Sequence, residues 1–217
     1  MTSRQRWISF AEVVLGALIV VGHNVYHIVP NEVLILFVIG WISLRARDGG
    51  WKTVGLRKPG SWPKTILWAL LAAALIVVLS DVVVGPIAEK YLGAQHASKA
   101  LQTSTPNLLW ALRTLAVIWT FAAFGEEMGY RGYLMTRAAE VGNRSTIAYS
   151  AALIVVSILF GYGHYSKGPA GVIASSVAGL VLGAAYLLSR RNLWVAILAH
   201  GFRDTFVVVL ALMGWAN

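Results

Sequence analysis

Residues 121–133, FAAFGEEMGYRGY, set two adjacent carboxylates, Glu126 and Glu127, and a guanidinium, Arg131, into a run that is otherwise soluble in hydrocarbon. A charge at the centre of a bilayer costs at least about 2.5–3.5 kcal/mol on insertion scales, so such groups persist where they are paired, functional or both. Glu127 and Arg131 stand i, i+4, share one helix face and can neutralise each other. Glu126 points about 100° away around the same helix and stays available. A carboxylate beside a second carboxylate in a medium of low dielectric suits a general base. The structural alternative is a charge cluster that only ties helix ends together.

The surrounding chain has 217 residues, of which 58% are hydrophobic and 12% charged, with a mean hydropathy of +0.68. Soluble domains carry about twice that share of charge. An all-α polytopic transmembrane bundle is therefore expected, folded as a single membrane-embedded domain over residues 1–217. The absence of cysteine removes disulfides and cysteine-ligated metal or iron–sulfur sites. Apolar runs of about 20 residues place about seven spans (six to eight) near 8–28, 31–46, 64–86, 107–136, 146–165, 169–189 and 192–214. The second is short, and the fourth is long enough to project or bend. MTSRQRW and the run after it show no small-residue cleavage site, so they read as a retained first helix rather than a signal peptide. The connection 47–63, rich in Gly and polar groups, reads as an interfacial loop with Trp51 and Trp62 at headgroup level. Trp110, Trp194 and Trp215 read as further interface anchors. In the sixth span Gly171, Ser175, Gly179 and Gly183 form a small-residue stripe that allows close helix approach, which places this helix centrally.

The net charge of +9 is distributed as membrane insertion leaves it, between spans, and no nucleic-acid motif accompanies it. Seven spans with the N-terminus in the cytosol put Arg4, Arg6, Arg45, Arg47, Lys52, Arg57, Lys58, Lys64, Arg137, Arg144, Arg190 and Arg191 inside. Only Lys90, Lys99 and Lys167 fall outside. Twelve against three favours N-in, C-out, in the plasma membrane of a prokaryote.

Two further polar groupings lie on apolar helices. FGYGH, residues 160–164, sets Phe160 and His164 one turn apart, with Gly161 and Gly163 weakening the helix beside the imidazole. HGFRD, residues 200–204, sets His200 and Asp204 one turn apart. There Asp204 can fix the tautomer of His200 and leave the other ring nitrogen for a substrate, while Arg203 is free to neutralise Asp204 or reach for water. Each grouping also has a structural reading as a satisfied hydrogen-bonder. Together, carboxylates and imidazoles on three helices form an acid–base constellation suited to hydrolysis in a wet intramembrane cavity. His23 and His27, also i, i+4, read as structural or pore-lining rather than as metal ligands, since no third ligand lies nearby. Glu12 and Asp81 read as inexpensive charges near span ends.

EEMGYR, FGYGH and HGFRD match, in order, Glu-Glu-x-x-x-Arg, Phe-x-x-x-His and His-x-x-x-Asn/Asp. This half of the chain, roughly residues 105–210, resembles the CPBP family of CAAX prenyl endopeptidases and bacteriocin-processing or immunity proteins, also called the Abi family. The resemblance implies an intramembrane hydrolase of peptide bonds in which Glu126 activates water and His164 holds or polarises it. Glu127 and Arg131 would support the site, with Phe160 beside them, and His200 and Asp204 would stabilise the oxyanion. Asp204 stands where the family often has Asn, and an ionised Asp cannot donate a hydrogen bond. It is expected to orient His200 instead, or to be protonated. The resemblance implies a cofactor-free, metal-free reaction. Zinc held by Glu126, His164 and His200 is the alternative. The substrate would be a membrane-associated peptide or lipidated protein (a lipidated C-terminus, a leader peptide or a membrane-anchored signalling peptide), cut near the cytosolic half of the bilayer. The rival readings are a catalytically silent immunity or scaffold protein and an ion- or proton-coupled transporter.

Depth tests this arrangement. Glu126 lies about 16 Å along its helix from Arg137, and His200 about 13 Å along its own from Arg191. His164 lies about 30 Å from Arg144, so a straight helix carries it towards the far surface. A break at the glycines of FGYGH, a strong tilt or an interfacial start to that helix is expected to bring it back.

Overall fold

The computed structural model describes residues 1–95 and 106–215; Lys99, counted among the outer basic residues, lies outside the described residues. Seven helices account for the fold among the described residues: α1 (Ser3–Asn24), α2 (Glu32–Arg47), α3 (Trp62–Leu92), α4 (Leu108–Val141), α5 (Thr146–Tyr162), α6 (Gly168–Leu188) and α7 (Leu193–Leu212). No strand occurs among those residues. Helices α1, α3, α4 and α7, and α6 with the turn before it, are long and apolar enough to cross a membrane. Helices α2 and α5, at 16 and 17 residues, are shorter.

Local chemistry explains the ends. Helix α1 starts at Ser3, five residues before the apolar run, because Thr2 and Gln5 close a reciprocal capping box. Asn31, Ser61, Asn107, Ser145 and Asn192 each accept a backbone N–H at the start of α2, α3, α4, α5 and α7. Helices α3 and α4 change pitch along their length. Residues Val77–Val84 in α3, and Ile118–Glu126 with Met128–Leu134 in α4, take the wide π-helical turn, which recurs at functional sites.

The bundle is apolar outside and charged inside. Leu67, Leu71, Leu75, Val78 and Val82 form an exposed stripe down α3, whereas Arg131 and Arg137 are among the largest fully buried side chains. A contiguous apolar stripe of this length is unfavourable in water and ordinary in lipid. The chain is thus built as an integral membrane protein.

The small-residue stripe of α6 packs as expected. A Cβ on Gly179 would stand 3.2 Å from both Phe160 Cδ1 and Ser157 Cα, and one on Gly183 2.9 Å from Met135 Cε. Helix α5 therefore approaches α6 almost to backbone contact, and the Met135 side chain of α4 fills the space over Gly183. The interfacial reading of Trp51 is not met. Its ring stacks on Phe37 at 5.4 Å and packs over Gly40 and Gly132, because the short turn Trp51–Val54 folds back against the bundle.

The basic residues gather at one end. Arg6 Nε donates to the Val141 carbonyl at 2.7 Å, and Arg191 Nη1 donates to the Tyr149 hydroxyl at 2.8 Å. Glu12, read as a solvated span-end charge, instead anchors this end from within. It accepts from Ser43 at 2.6 Å and Arg47 at 2.7 Å, and pairs with Arg137 at 3.1 Å. Arg137 also holds Glu140 at 2.7 Å and Asp48 at 2.8 Å, and Arg144 pairs with both of those acids. One guanidinium thereby joins α1, α2 and α4.

Burial alone would push the Asp48 carboxyl up, but the hydrogen bond from Arg144 and the Arg137 charge outweigh it and hold it below its ordinary 3.8. A carboxyl depressed by folding adds stability above its unfolded value and loses it as pH falls through the folded one. The gap in unfolding midpoint between the wild type and Asp48→Asn is expected to be constant above about pH 5 and to close as pH drops below that range. Unfolding followed in detergent across that range checks it; a gap independent of pH would contradict it.

Candidate active site

Helix α4 brings Glu126 and Glu127 to mid-bundle, and the two carboxylates part as their spacing requires. Glu127 is wholly buried. Its Oε1 accepts from Arg131 Nη1 at 2.7 Å and from His200 Nδ1 at 2.9 Å. Arg131 reaches further: Nη2 donates to the Gly179 carbonyl at 3.0 Å, and its guanidinium lies over the Phe160 ring, 4.4 Å from the centroid. One ion pair on α4 thus fixes α5, α6 and α7.

The orienting partner of His200 is not the one expected. Glu127, from another helix, holds Nδ1, whereas Asp204 Oδ2 stands 3.5 Å from Nε2, too long for a firm hydrogen bond. Asp204 is drawn off by its neighbour, since Arg203 Nη1 donates to its Oδ1 at 3.0 Å. Arg203 also clasps Asp81 through Nε at 3.1 Å and Nη2 at 2.7 Å. Asp81 is therefore not a solvated span-end charge: α3 runs on to Leu92, which leaves Asp81 inside the bundle on the π-helical stretch.

Phe160 joins the two imidazoles. Its ring centroid lies 4.9 Å from that of His164 and 5.9 Å from that of His200, with Tyr130 edge-on at 5.2 Å. His164 Nδ1 donates to the Phe160 carbonyl at 3.0 Å, so a neutral ring carries its lone pair on Nε2. Helix α5 ends within FGYGH, with Gly163 as its C-cap. Its last residue is Tyr162, and His164 follows just past its end. Gly161 admits Ser176 and the Val172 carbonyl of α6, and Gly163 admits the Tyr130 hydroxyl. The helix end at Gly163 and close helix approach together bring His164 to the site.

Phe160, His164, His200 and Asp204 line one cavity of about 70 Å³, which has room for several water molecules. Its other walls include Ile76, Ser80 and Asp81 of α3, Ser175 and Leu182 of α6, and the loop residues Gln95 and Lys167. Helix α3 begins beside α7, where Asn192 Nδ2 donates to Thr65 at 3.2 Å, at the basic end. Gln95 follows the other end of α3, and Lys167 caps the opposite end of α6 from Arg190. The cavity therefore reaches from mid-bundle to the end away from the basic cluster, not towards it as the sequence suggests. Glu126 does not line this cavity. It directly precedes Glu127 on α4, close enough to act electrostatically on His200 and Asp204, and its Oε2 is buried without a hydrogen-bond partner.

Sequence reasoning passed over Lys167, Ser80 and Gln95 and misread Asp81. An acid inside the apolar run VVLSDVVV was the available signal for the α3 wall. His23 and His27 do not share a helix face, because α1 ends at Asn24 and His27 sits beyond it with φ +56°. His23 is held by the Val29 carbonyl at 2.6 Å and by Glu32 at 3.0 Å, a structural role. Among the described residues no three His, Asp or Glu side chains gather closely enough to hold a metal ion.

Residues 107–206 match the family model described as Rce1-like, type II CAAX prenyl endopeptidase. The match spans all three motifs and bears out the resemblance that they carry; it ties this segment, at family level, to CAAX-type endopeptidases. No curated protein and no solved structure matches the chain.

Proposed function

We propose that the chain is an intramembrane endopeptidase of the CPBP type, with its catalytic core in residues 105–210 (Thr105 itself lies outside the described residues). The observation that carries this reading is one arrangement: His200, held on Nδ1 by Glu127, shares a cavity large enough for water with His164 beside a Glu126 whose Oε2 has no partner.

Each residue then has a task. Glu126 takes a proton from water as its oxygen attacks the scissile carbonyl, and later delivers that proton to the leaving nitrogen as the C–N bond breaks. The Nε2 lone pair of His164 accepts the second water hydrogen and fixes the nucleophile. Both nitrogens of His200 face carboxylate oxygens, an environment that suits a doubly protonated ring. Its Nε2–H, only loosely engaged by Asp204, can turn to the developing oxyanion. Glu127 and Arg131 hold His200 in place, and Asp204 adds compensating negative charge. This chemistry needs no metal.

The substrate class is a membrane-anchored or lipidated peptide, with the lipid bilayer as the other partner and no nucleic acid. The basic end is cytosolic on the positive-inside rule, which makes the N-terminus cytosolic and aims the cavity at the opposite side of a prokaryotic plasma membrane. The test uses the full chain in proteoliposomes with lipidated peptides, as wild type and as His164→Ala, with and without a chelator. Cleavage by the wild type, unchanged by chelator and lowered about 10²-fold or more in His164→Ala, is expected. Equal cleavage by both proteins removes the mechanism; loss with chelator transfers it to a metal.

A further inference from the structure

Of the two cations that the described residues place in the cavity wall, Arg203 is committed to Asp81 and Asp204, and the other is left over. Lys167 lies at the outer end of the cavity, between α5 and α6, and among the described residues its ammonium makes no ion pair and no hydrogen bond. Acids are close by but already engaged. Arg203 binds both oxygens of Asp81 and one of Asp204, and the other Asp204 oxygen faces His200. Residues 96–105 contain no Asp or Glu that could serve instead.

A second feature coincides with it. Lys167 is the N-cap of α6, a helix of 21 residues without a side-chain cap, in whose first turn the Gly168 N–H donates to the Tyr165 carbonyl and Pro169 has no N–H. That helix end carries partial positive charge. The lysine stem lies against Gly171, where a Cβ would collide with its own Cβ. A bare helix turn thus accommodates the side chain at the cavity. Lysine and helix end aim two sources of positive charge at the space next to His164.

We propose that Lys167 and the N-terminus of α6 form an anion subsite that receives a carboxylate of the substrate peptide beside the scissile bond. The subsite deepens the endopeptidase reading and rests on it. The carboxylate has two possible sources, the free C-terminus of the peptide or an acidic side chain. Either would exchange water for a charge-assisted hydrogen bond in a partly desolvated cavity. Lys167 would act on substrate position, not on the attacking water, and is a specificity residue.

The test compares prenylated, fluorophore-labelled peptides that differ only as C-terminal acid or amide, and a second pair that differs as internal Glu or Gln. Cleavage gives KM and kcat, and anisotropy gives binding even where nothing is cut. The wild type is expected to favour the acid of one pair by about ten- to a hundredfold in KM or affinity. Lys167→Met is expected to bring that ratio near one, and Lys167→Arg to keep most of it. A ratio unchanged in Lys167→Met overturns the subsite, as does a wild type that treats acid and amide alike in both pairs. If both are cleaved alike, the hydrolase reading stands without the subsite. If the acid binds better but nothing is cut, the subsite stands and the hydrolase reading falls.

Discussion

Glu126→Gln is expected to slow peptide hydrolysis by about 10²- to 10⁴-fold, the range of a positioned general base, with the unfolding midpoint nearly unchanged. Glutamine keeps the shape of the side chain and removes only its ability to take a proton. No hydrogen bond holds the fold through Oε2, since that oxygen is buried and unpartnered. The neighbouring substitution tells the two carboxylates apart. Glu127→Gln alters the acceptor of both Arg131 and His200, so it is expected to lower stability and rate together. Initial rates under saturating peptide, read beside thermal unfolding of the same preparations, check the contrast. A Glu126→Gln protein retaining more than about a tenth of the rate would remove Glu126 from the role of base.

Arg131→Leu is expected to destabilise the bundle by about 3–5 kcal/mol, the cost of stranding one member of a buried ion pair. Both partners are fully buried, so no solvent screens the Glu127 charge left behind. The substitution also removes the bond to the Gly179 carbonyl and the guanidinium over Phe160, which bind α4 to α6 and α5. Replacing both partners, as Glu127→Leu with Arg131→Leu, is expected to recover part of the stability because no charge is then stranded. Activity is not expected to return, since His200 Nδ1 has lost its acceptor. Unfolding in mixed detergent, run as a double-mutant cycle, measures the coupling. A double variant no more stable than Arg131→Leu alone would show that the pair is not what holds these helices.

Much of this site was legible in the chain. The i, i+4 spacing of Glu127 and Arg131 foretold their ion pair, and the four-residue stripe of α6 foretold close packing, because both depend on local helix geometry. His23 and His27 failed the same rule for a local reason, the end of α1 at Asn24, which interrupts the face they were expected to share. Asp81 was misjudged, and the place of Lys167 in the cavity wall missed, for a different reason. Their surroundings depend on which helices stand beside them, and nothing in their own neighbourhood of sequence announces Arg203 or His164.

Hydropathy and charge spacing by themselves determined a bundle of about seven helices, its segregated basic end and the pairs that lie within a single helix, since those follow from the solvent and from the pitch. Only the tertiary structure decided that Glu127 rather than Asp204 holds His200, that Phe160 spaces the two imidazoles, and that the cavity runs away from the basic end. Those contacts join residues far apart in the chain, such as Glu127 with His200. Their partners are chosen by how small residues let helices approach, a cooperative packing outcome that no local pattern encodes.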